Sequence, residues 1–244
     1  MNRWYRTERG FTLVEIVLVV VMLGILATIA TMNFATTVDT VKHEATLMEL
    51  EAIAKAITGN PNVIVNGVRA DFGYVGDIGA IPPNLDALIN NPGYATWDGP
   101  YLEHGLTASD FKRDGWNIPY ILLDTIIRST GSGSSIDKLF ARNTASLLAN
   151  SVSGYINDAN GDLPPSPFTD SVRVIITYPG GSGSLASATT SPNDKGFFSF
   201  ANMPIGNHSI QVIYLPDNDT AQYFVSVNPS YATHLQISFA SDLW

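Results

Sequence analysis

From Phe11 to Phe34 the chain reads FTLVEIVLVVVMLGILATIATMNF, 24 residues with one charge, Glu15. As a helix this run spans about 36 Å, enough for a hydrocarbon core of about 30 Å. Its length favours a helix over a strand despite the Val and Ile content. The ten residues before it, MNRWYRTERG, set Arg3, Arg6 and Arg9 against Glu8. Positive charge on that side predicts a cytoplasmic N-terminus, with everything after residue 35 outside the cytoplasm. A secretory signal has a shorter apolar core and a small-x-small cleavage site, and Thr28-Ile29-Ala30 is a poor one. A plain anchor fits the length but leaves Glu15 unexplained. A lone carboxylate within lipid costs about 2.5–3.5 kcal/mol on insertion scales, so it implies a partner.

Gly10-Phe11-Thr12-Leu13-Val14-Glu15 resembles the GFTLxE processing site of type IV pilins and type II secretion pseudopilins. The resemblance implies that a prepilin peptidase cuts after Gly10 and that the new terminal Phe11 is N-methylated. Glu15 becomes the fifth residue of the mature chain and neutralises the terminal amine of a neighbouring subunit. The implied partners are other pilin or pseudopilin subunits, in a homo- or hetero-filament, and an inner-membrane assembly platform. Pairing opposite charges at similar depth offsets their burial. The leader carries a net +2, so its loss takes the charge from −9 to −11.

Past the membrane segment, Val38, Val41, Ala45, Met48 and Ala52 continue an apolar stripe, broadened by Leu47, Leu50, Ile53 and Ile57. Gly59 and Pro61 signal its end. The expected organisation is a leader over 1–10, a spine helix over 11–59 with its membrane part at 11–34, a head over 60–146 and a β-sandwich over 147–244. Many relatives place Pro near the membrane boundary, whereas this chain has Met32-Asn33-Phe34 and no proline to promote a kink.

In the head, Ile81–Ile89 suggests a short helix with Asn84 as its cap. Trp97-Asp98-Gly99-Pro100-Tyr101-Leu102 and Asp114-Gly115-Trp116-Asn117-Ile118-Pro119-Tyr120 resemble the WxGPYL and DPWGxPY motifs of major pseudopilins. The second departs at Gly115 and Asn117. Tyr120–Ile127 reads as one strand. Trp97, Tyr101, Trp116 and Tyr120 read as core aromatics before they read as a carbohydrate platform. Ser129–Asp137 occupies the place of a loop that binds calcium in relatives. Ser132 stands where an Asp is expected, and Asp137 remains from an acidic pair. That loop reads either as a calcium loop or as a Gly/Ser connector.

From residue 147 the texture changes. Leu147–Asn157, Val172–Tyr178, Phe197–Ala201, His208–Tyr214, Gln222–Val227 and His234–Phe239 are apolar or alternating runs between turn clusters, the pattern of an antiparallel sandwich. Val152–Gly161 and Gly196–Val212 resemble the VxGxVxDxxG and GxFxFxxLPxGxYxLxV patterns of carboxypeptidase-regulatory-like domains, a transthyretin-like family of noncatalytic β-sandwiches. Asp158, Asn160 and Asp162 have the spacing of a cation loop, but an EF-hand Glu would fall at Thr169. The other reading is an Asx-rich turn, as at Asp217 and Asp219.

The chain has no cysteine, which removes disulfides, thiol catalysis and cysteine metal sites. Its acidity disfavours nucleic acid. His43, His104, His208 and His234 form no HExxH, and no Gly-x-Ser-x-Gly elbow or P-loop lysine appears. Pro179-Gly180-Gly181-Ser182-Gly183-Ser184 reads as a hairpin loop, since no helix follows to hold phosphate. The expected fold is α+β: a long transmembrane and amphipathic N-terminal helix, a small pseudopilin β head and an all-β antiparallel sandwich. The expected protein is a non-catalytic pilin-like subunit that requires no cofactor, with calcium as an optional ion. It would cross the inner membrane once, with both globular parts periplasmic, and enter a pseudopilus or a pilus at the cell surface. The alternatives are an adhesin exported through pilin biogenesis and an exoenzyme cleaved from its apolar helix.

Overall fold

The computed structural model describes residues 10–102, 110–164 and 168–244. The leader residues 1–9 and His104 therefore lie outside the described residues. The chain divides into two compact units, residues 1–45 and 46–244. Helix α1, Leu13–Thr58, is continuous across that division, including the stretch at Met32–Phe34 where no proline intervenes. Gly59 ends it with φ +77°, and its amide donates to the Lys55 carbonyl at 2.7 Å. This left-handed closing residue is where glycine carries no Cβ penalty.

In the first unit the apolar run has no cover from the chain itself. Phe11 is 74% exposed and Phe34 72%. The helix is long and apolar enough to cross a membrane, by length and composition. Its threonines suit that setting: Thr28, Thr31 and Thr36 donate their hydroxyls to the carbonyls of Gly24, Ala27 and Met32 at 2.8–2.9 Å. A hydroxyl satisfied on its own helix is not left unpaired in lipid.

The second unit begins with the last turns of α1. Leu50, Ile53, Ala54, Ala56 and Ile57 are buried there under the head. After a largely exposed hairpin of β1 (Ile64–Val65) and β2 (Val68–Arg69), the head packs against them through helix α2 (Gly73–Ile78), a 3-10 turn at Leu85–Leu88, and a sheet of β3 (Ile121–Leu123), β4 (Ile126–Ser129) and β5 (Ile136–Leu139). Asn84 does cap its turn, accepting from the Ala87 amide at 3.1 Å. The run Tyr120–Ile127 is not one strand. Asp124 takes φ +36°, and Leu123 pairs with Ile126 across a two-residue turn, so the run folds back as the β3–β4 hairpin.

Helix α3 (Thr144–Leu148) follows, and its last two residues, Leu147 and Leu148, come from the run Leu147–Asn157 that was expected to be strand. Asn143 and Ser146 form a reciprocal capping box, and local side chain–backbone bonds start a helix that the apolar pattern did not show. Leu147 packs into the head core.

The sandwich contains β6 (Asn150–Asn157), β7 (Val172–Pro179), β8 (Leu185–Thr190), β9 (Phe197–Met203), β10 (Gly206–Tyr214), β11 (Asp219–Val227) and β12 (Ala232–Ser238). Its sheets run β11-β10-β7-β8 and β12-β6-β9. Inward residues such as Val152, Ile156, Val174, Ile176, Ile210, Val212 and Ile237 form the second core. Pairing is antiparallel except for β6 with β12, which are parallel, His234 lying beside Ser153. After β11 the chain leaves one sheet for the other, so β12 arrives beside β6 by a crossover rather than a hairpin. Strand β8 has sequence LASATT, whose small side chains give no strand signal; it is an edge pinned by β7.

Head and sandwich meet backbone to backbone. The Gly181 amide donates to Ile78 at 2.8 Å, and the Gly183 carbonyl accepts from Ala95 and Thr96 at 2.8 and 3.2 Å. Ile205, from the turn between β9 and β10, is buried in the head core, and its amide donates to Leu147 at 2.8 Å. Gly183 has φ +78°, and a Cβ there would fall 2.2 Å from the Tyr94 ring. Gly183→Ala should therefore cost about 2–4 kcal/mol in denaturant unfolding. Gly133→Ala, also at positive φ but with open space around it, should cost only about 1 kcal/mol.

Candidate functional site

The N-terminal site is built on the first turn of α1. The Thr12 hydroxyl accepts the Glu15 amide at 3.2 Å, and the Thr12 carbonyl accepts the Ile16 amide at 3.2 Å. Thr12 is thus the N-cap and Glu15 the third helical residue, the T-x-x-E order of a capping box. This local role was legible in the sequence but absent from the motif reading. It places a carboxylate where the positive end of the helix dipole favours one. Gly10 is exposed, and a Cβ on it would meet nothing within 4 Å. The fold itself sets no steric demand for glycine at this position. Gly10, Phe11 and Glu15 are all exposed and lie along one short stretch.

Residues 5–31 match the prokaryotic N-terminal methylation motif. The match spans Gly10 and Phe11, the cap and most of the apolar run, although residues 5–9 lie outside the described structure. No curated protein matches the chain. Among solved structures, the Bacillus anthracis TIE protein aligns at 14% identity over 49% of this chain and 24% of its own, with a TM-score of 0.31. A putative carbohydrate binding protein from Pseudomonas aeruginosa aligns at 13% over 38% and 90%, TM-score 0.26. BcpA, the major pilin subunit of Bacillus cereus, aligns at 10% over 47% and 36%, TM-score 0.26. The chain thus spans about a quarter of the first of these and about a third of the last. TM-scores of this size join stretches of β-structure and not whole folds.

The expected cation residues fall in two places. Both carboxylate oxygens of Asp137 accept from the Arg128 guanidinium at 2.7 Å across β4–β5. That pairing holds the Asp137 carboxyl below its ordinary pKa. Within the loop the Ser132 hydroxyl donates to the Ser134 carbonyl at 2.7 Å. Asp158 is buried at the end of β6, and its Oδ1 accepts the amides of Asn160 and Asp162 at 2.9 and 2.8 Å. Asn160 and Asp162 contribute backbone to that turn, while their side chains are exposed. Among the described residues, no group of three His, Cys, Asp or Glu side chains converges to hold a metal.

Asp114 is a residue whose importance the motif did not reveal. Buried, it accepts from Trp116 and Ile118 through Oδ1 at 3.0 and 2.9 Å, and from Ser129 and Gly131 through Oδ2 at 2.6 and 3.0 Å. It ties the DGWNIPY turn to the end of β4. Helix α1 is tied to the same region: the Thr46 hydroxyl accepts from Gly115 at 3.0 Å, the Tyr120 hydroxyl donates to Glu49 at 2.6 Å, and Lys138 pairs with Glu51. Trp97 and Tyr101 pack edge-on in the head core, with the indole N–H on the Ala87 carbonyl at 2.8 Å.

Two histidines have defined partners. His208 is buried with Nε2 2.8 Å from the Pro204 carbonyl, and burial lowers its pKa. His234 Nδ1 lies 3.2 Å from Ser153 Oγ on an exposed sheet face. Ser153 is on the central strand, paired with both β9 and β12. An open groove of about 470 Å³ lies beside α3, with Arg142, Asn202 and Tyr231 on its walls.

Burial pushes the Asp77 carboxyl up to about 6; the Tyr101 hydroxyl, 2.9 Å away, pulls against it, and the Asp98 and Asp71 charges add to it. A folded-state pKa above the unfolded value of about 3.9 means that the folded protein holds the extra proton. Stability from this group is full below about pH 4 and is lost as pH rises through about 6. Asp77→Asn keeps an acceptor for Tyr101 and should flatten this limb of a Tm-versus-pH curve. An unchanged slope between pH 4 and 6 would show that Asp77 does not carry it.

Proposed function

We propose that this protein is a pilin-like filament subunit, processed after Gly10 by a prepilin peptidase and assembled through α1. One observation carries the reading. A methylation motif opens a helix whose first part, through Phe34, is apolar but for Glu15 and a few polar residues and exposed at its described side chains, while its last turns are covered by the chain's own head. Exposed apolar surface on that scale is stable only against lipid or other apolar helices. Before assembly the segment spans the inner membrane, with the head and sandwich on the far side. In the filament it packs among the equivalent segments of other subunits, and Glu15 offsets the free amine of a neighbouring Phe11. The subunit's role is structural and non-catalytic. The filament is either a type II secretion pseudopilus or a type IV pilus.

An adhesive role is the second reading, and one surface favours it. The outer face of β12-β6-β9 presents Tyr155, His234, Gln236 and Phe197 without a charged side chain, on a protein of net charge −9. Hydroxyls, amides and aromatic faces without charge suit a neutral surface ligand.

Mass spectrometry of the mature N-terminus tests the class: a chain beginning at N-methylated Phe11 is expected. Gly10→Ala should leave the full-length precursor. Glu15→Ala should be processed but fail to enter filaments, as read by sheared-filament recovery. Normal assembly of Glu15→Ala would sink the charge-pairing role and leave the helix with its cap function alone.

A further inference from the structure

The uncharged outer face of β12-β6-β9 runs on beyond Ser153. Parallel pairing sets Ala232 beside Ser151, His234 beside Ser153, Gln236 beside Tyr155 and Ser238 beside Asn157. On the other side of β6, Ser199 lies opposite Ser153 and Phe197 opposite Tyr155. Side chains two apart on a strand share a face, so these rows stack into one track. From Ser151 to Asn157 it covers about 20 Å at the usual rise of a strand. At the Ser151 end it enters the groove of about 470 Å³ beside α3, because Ser151, Ala201 and Ala232 line that groove as well. Groove and sheet face are one continuous surface.

The chemistry changes along this surface. In its middle, the Tyr155 ring centroid lies 5.4 Å from Phe197 and 5.3 Å from His234, so three rings cross three strands. Tyr155 keeps 39% of its surface exposed. His234 engages Ser153 Oγ through Nδ1, and among the described residues its Nε2 has no partner. Beyond the rings, Gln236 Nε2 and Ser238 Oγ both donate to Asn157 Oδ1, at 2.6 and 2.9 Å, which fixes a cluster of amides and a hydroxyl. In the groove the small side chains of Ala145, Ala149, Ala201 and Ala232 leave room for a ligand. Arg142 is the charged residue on its described walls, and it has no ion-pair or hydrogen-bond partner among the described residues. On a chain of net charge −9, this guanidinium is left to an anion from outside.

We propose that the track binds an extended saccharide, with neutral sugar units on the Tyr155, Phe197 and His234 rings and a terminal sugar carboxylate on Arg142. The proposal rests on the adhesive reading above and names its ligand. A sugar ring offers an apolar C–H face to an aromatic ring and a rim of hydroxyls to amides and hydroxyls, and the track supplies both. A peptide that joins a sheet does so at an edge, by main-chain pairing. This track runs along β6, which is already paired on both sides, so recognition falls to side chains. The outward positions of the three strands carry no Lys or Arg, which confines the acid group to the Arg142 end.

Array binding with the full chain in detergent tests the assignment. The probes are cello-, xylo-, manno- and galacto-oligosaccharides, each printed with a neutral and with a uronic acid terminus, beside an extended glutamate-containing peptide. The expected result is saturable binding to at least one sugar backbone, with the acid-terminated form bound roughly tenfold more tightly than its neutral counterpart. Arg142→Gln should erase that preference. Tyr155→Thr, which keeps a strand-favouring residue, should weaken both forms several-fold. Circular dichroism should show both variants folded as the native chain. Equal binding of the two forms by the native chain, or a preference that survives Arg142→Gln, would overturn the proposal and leave the adhesive reading standing. No bound sugar would overturn both, and capture of the peptide alone would replace the saccharide with an acidic peptide.

Discussion

A single unbroken helix must cover its apolar side chains in two different ways. Its last turns bury Leu50, Ile53 and Ile57 under the head, where each contributes roughly 1.5–3 kcal/mol. The stretch from Phe11 to Phe34 has no such cover in its own chain. An α-helix tolerates this because its backbone polar groups are paired internally, and here threonine hydroxyls are paired as well. The head exists to solve the aqueous half of the problem, and an outside apolar phase solves the other.

The sandwich is not a bead on a tether. Residues 46–244 form one compact unit, and Ile205 of the sandwich completes the core of the head. The Gly-rich 179–184 loop, which resembled a plain hairpin turn, supplies the backbone contacts that join the lobes. Glycine is needed there because strands and helix approach to carbonyl distance: a Cβ on Gly79 would fall 2.2 Å from the Pro179 oxygen. The junction does the work that a disulfide would do in a cysteine-bearing chain, with hydrogen bonds and packed apolar surface instead.

Much of this was readable in the residues. The long helix, its end at Gly59, the Asn84 cap and the strand runs from Val172 onward follow from periodicity and turn chemistry, which are local properties. What escaped was set by distant partners. Strand β8 exists because β7 and its turn hold it, not because LASATT favours extension. The β3–β4 turn depends on Asp124 at positive φ inside an apolar run. The parallel seating of β12 beside β6 depends on which sheet the chain enters after β11. At the candidate sites, the N-terminal motif was legible, whereas Asp114 and the glycine junction gain meaning only from residues far away in sequence.

Ile205 also imposes a schedule. A ribosome delivers the head's helices and strands well before it delivers the turn between β9 and β10, yet the head core keeps a place for that side chain. Until then the partly formed head holds an open apolar socket beside the equally apolar end of α1. The head core is therefore closed only by a residue delivered late from the other lobe.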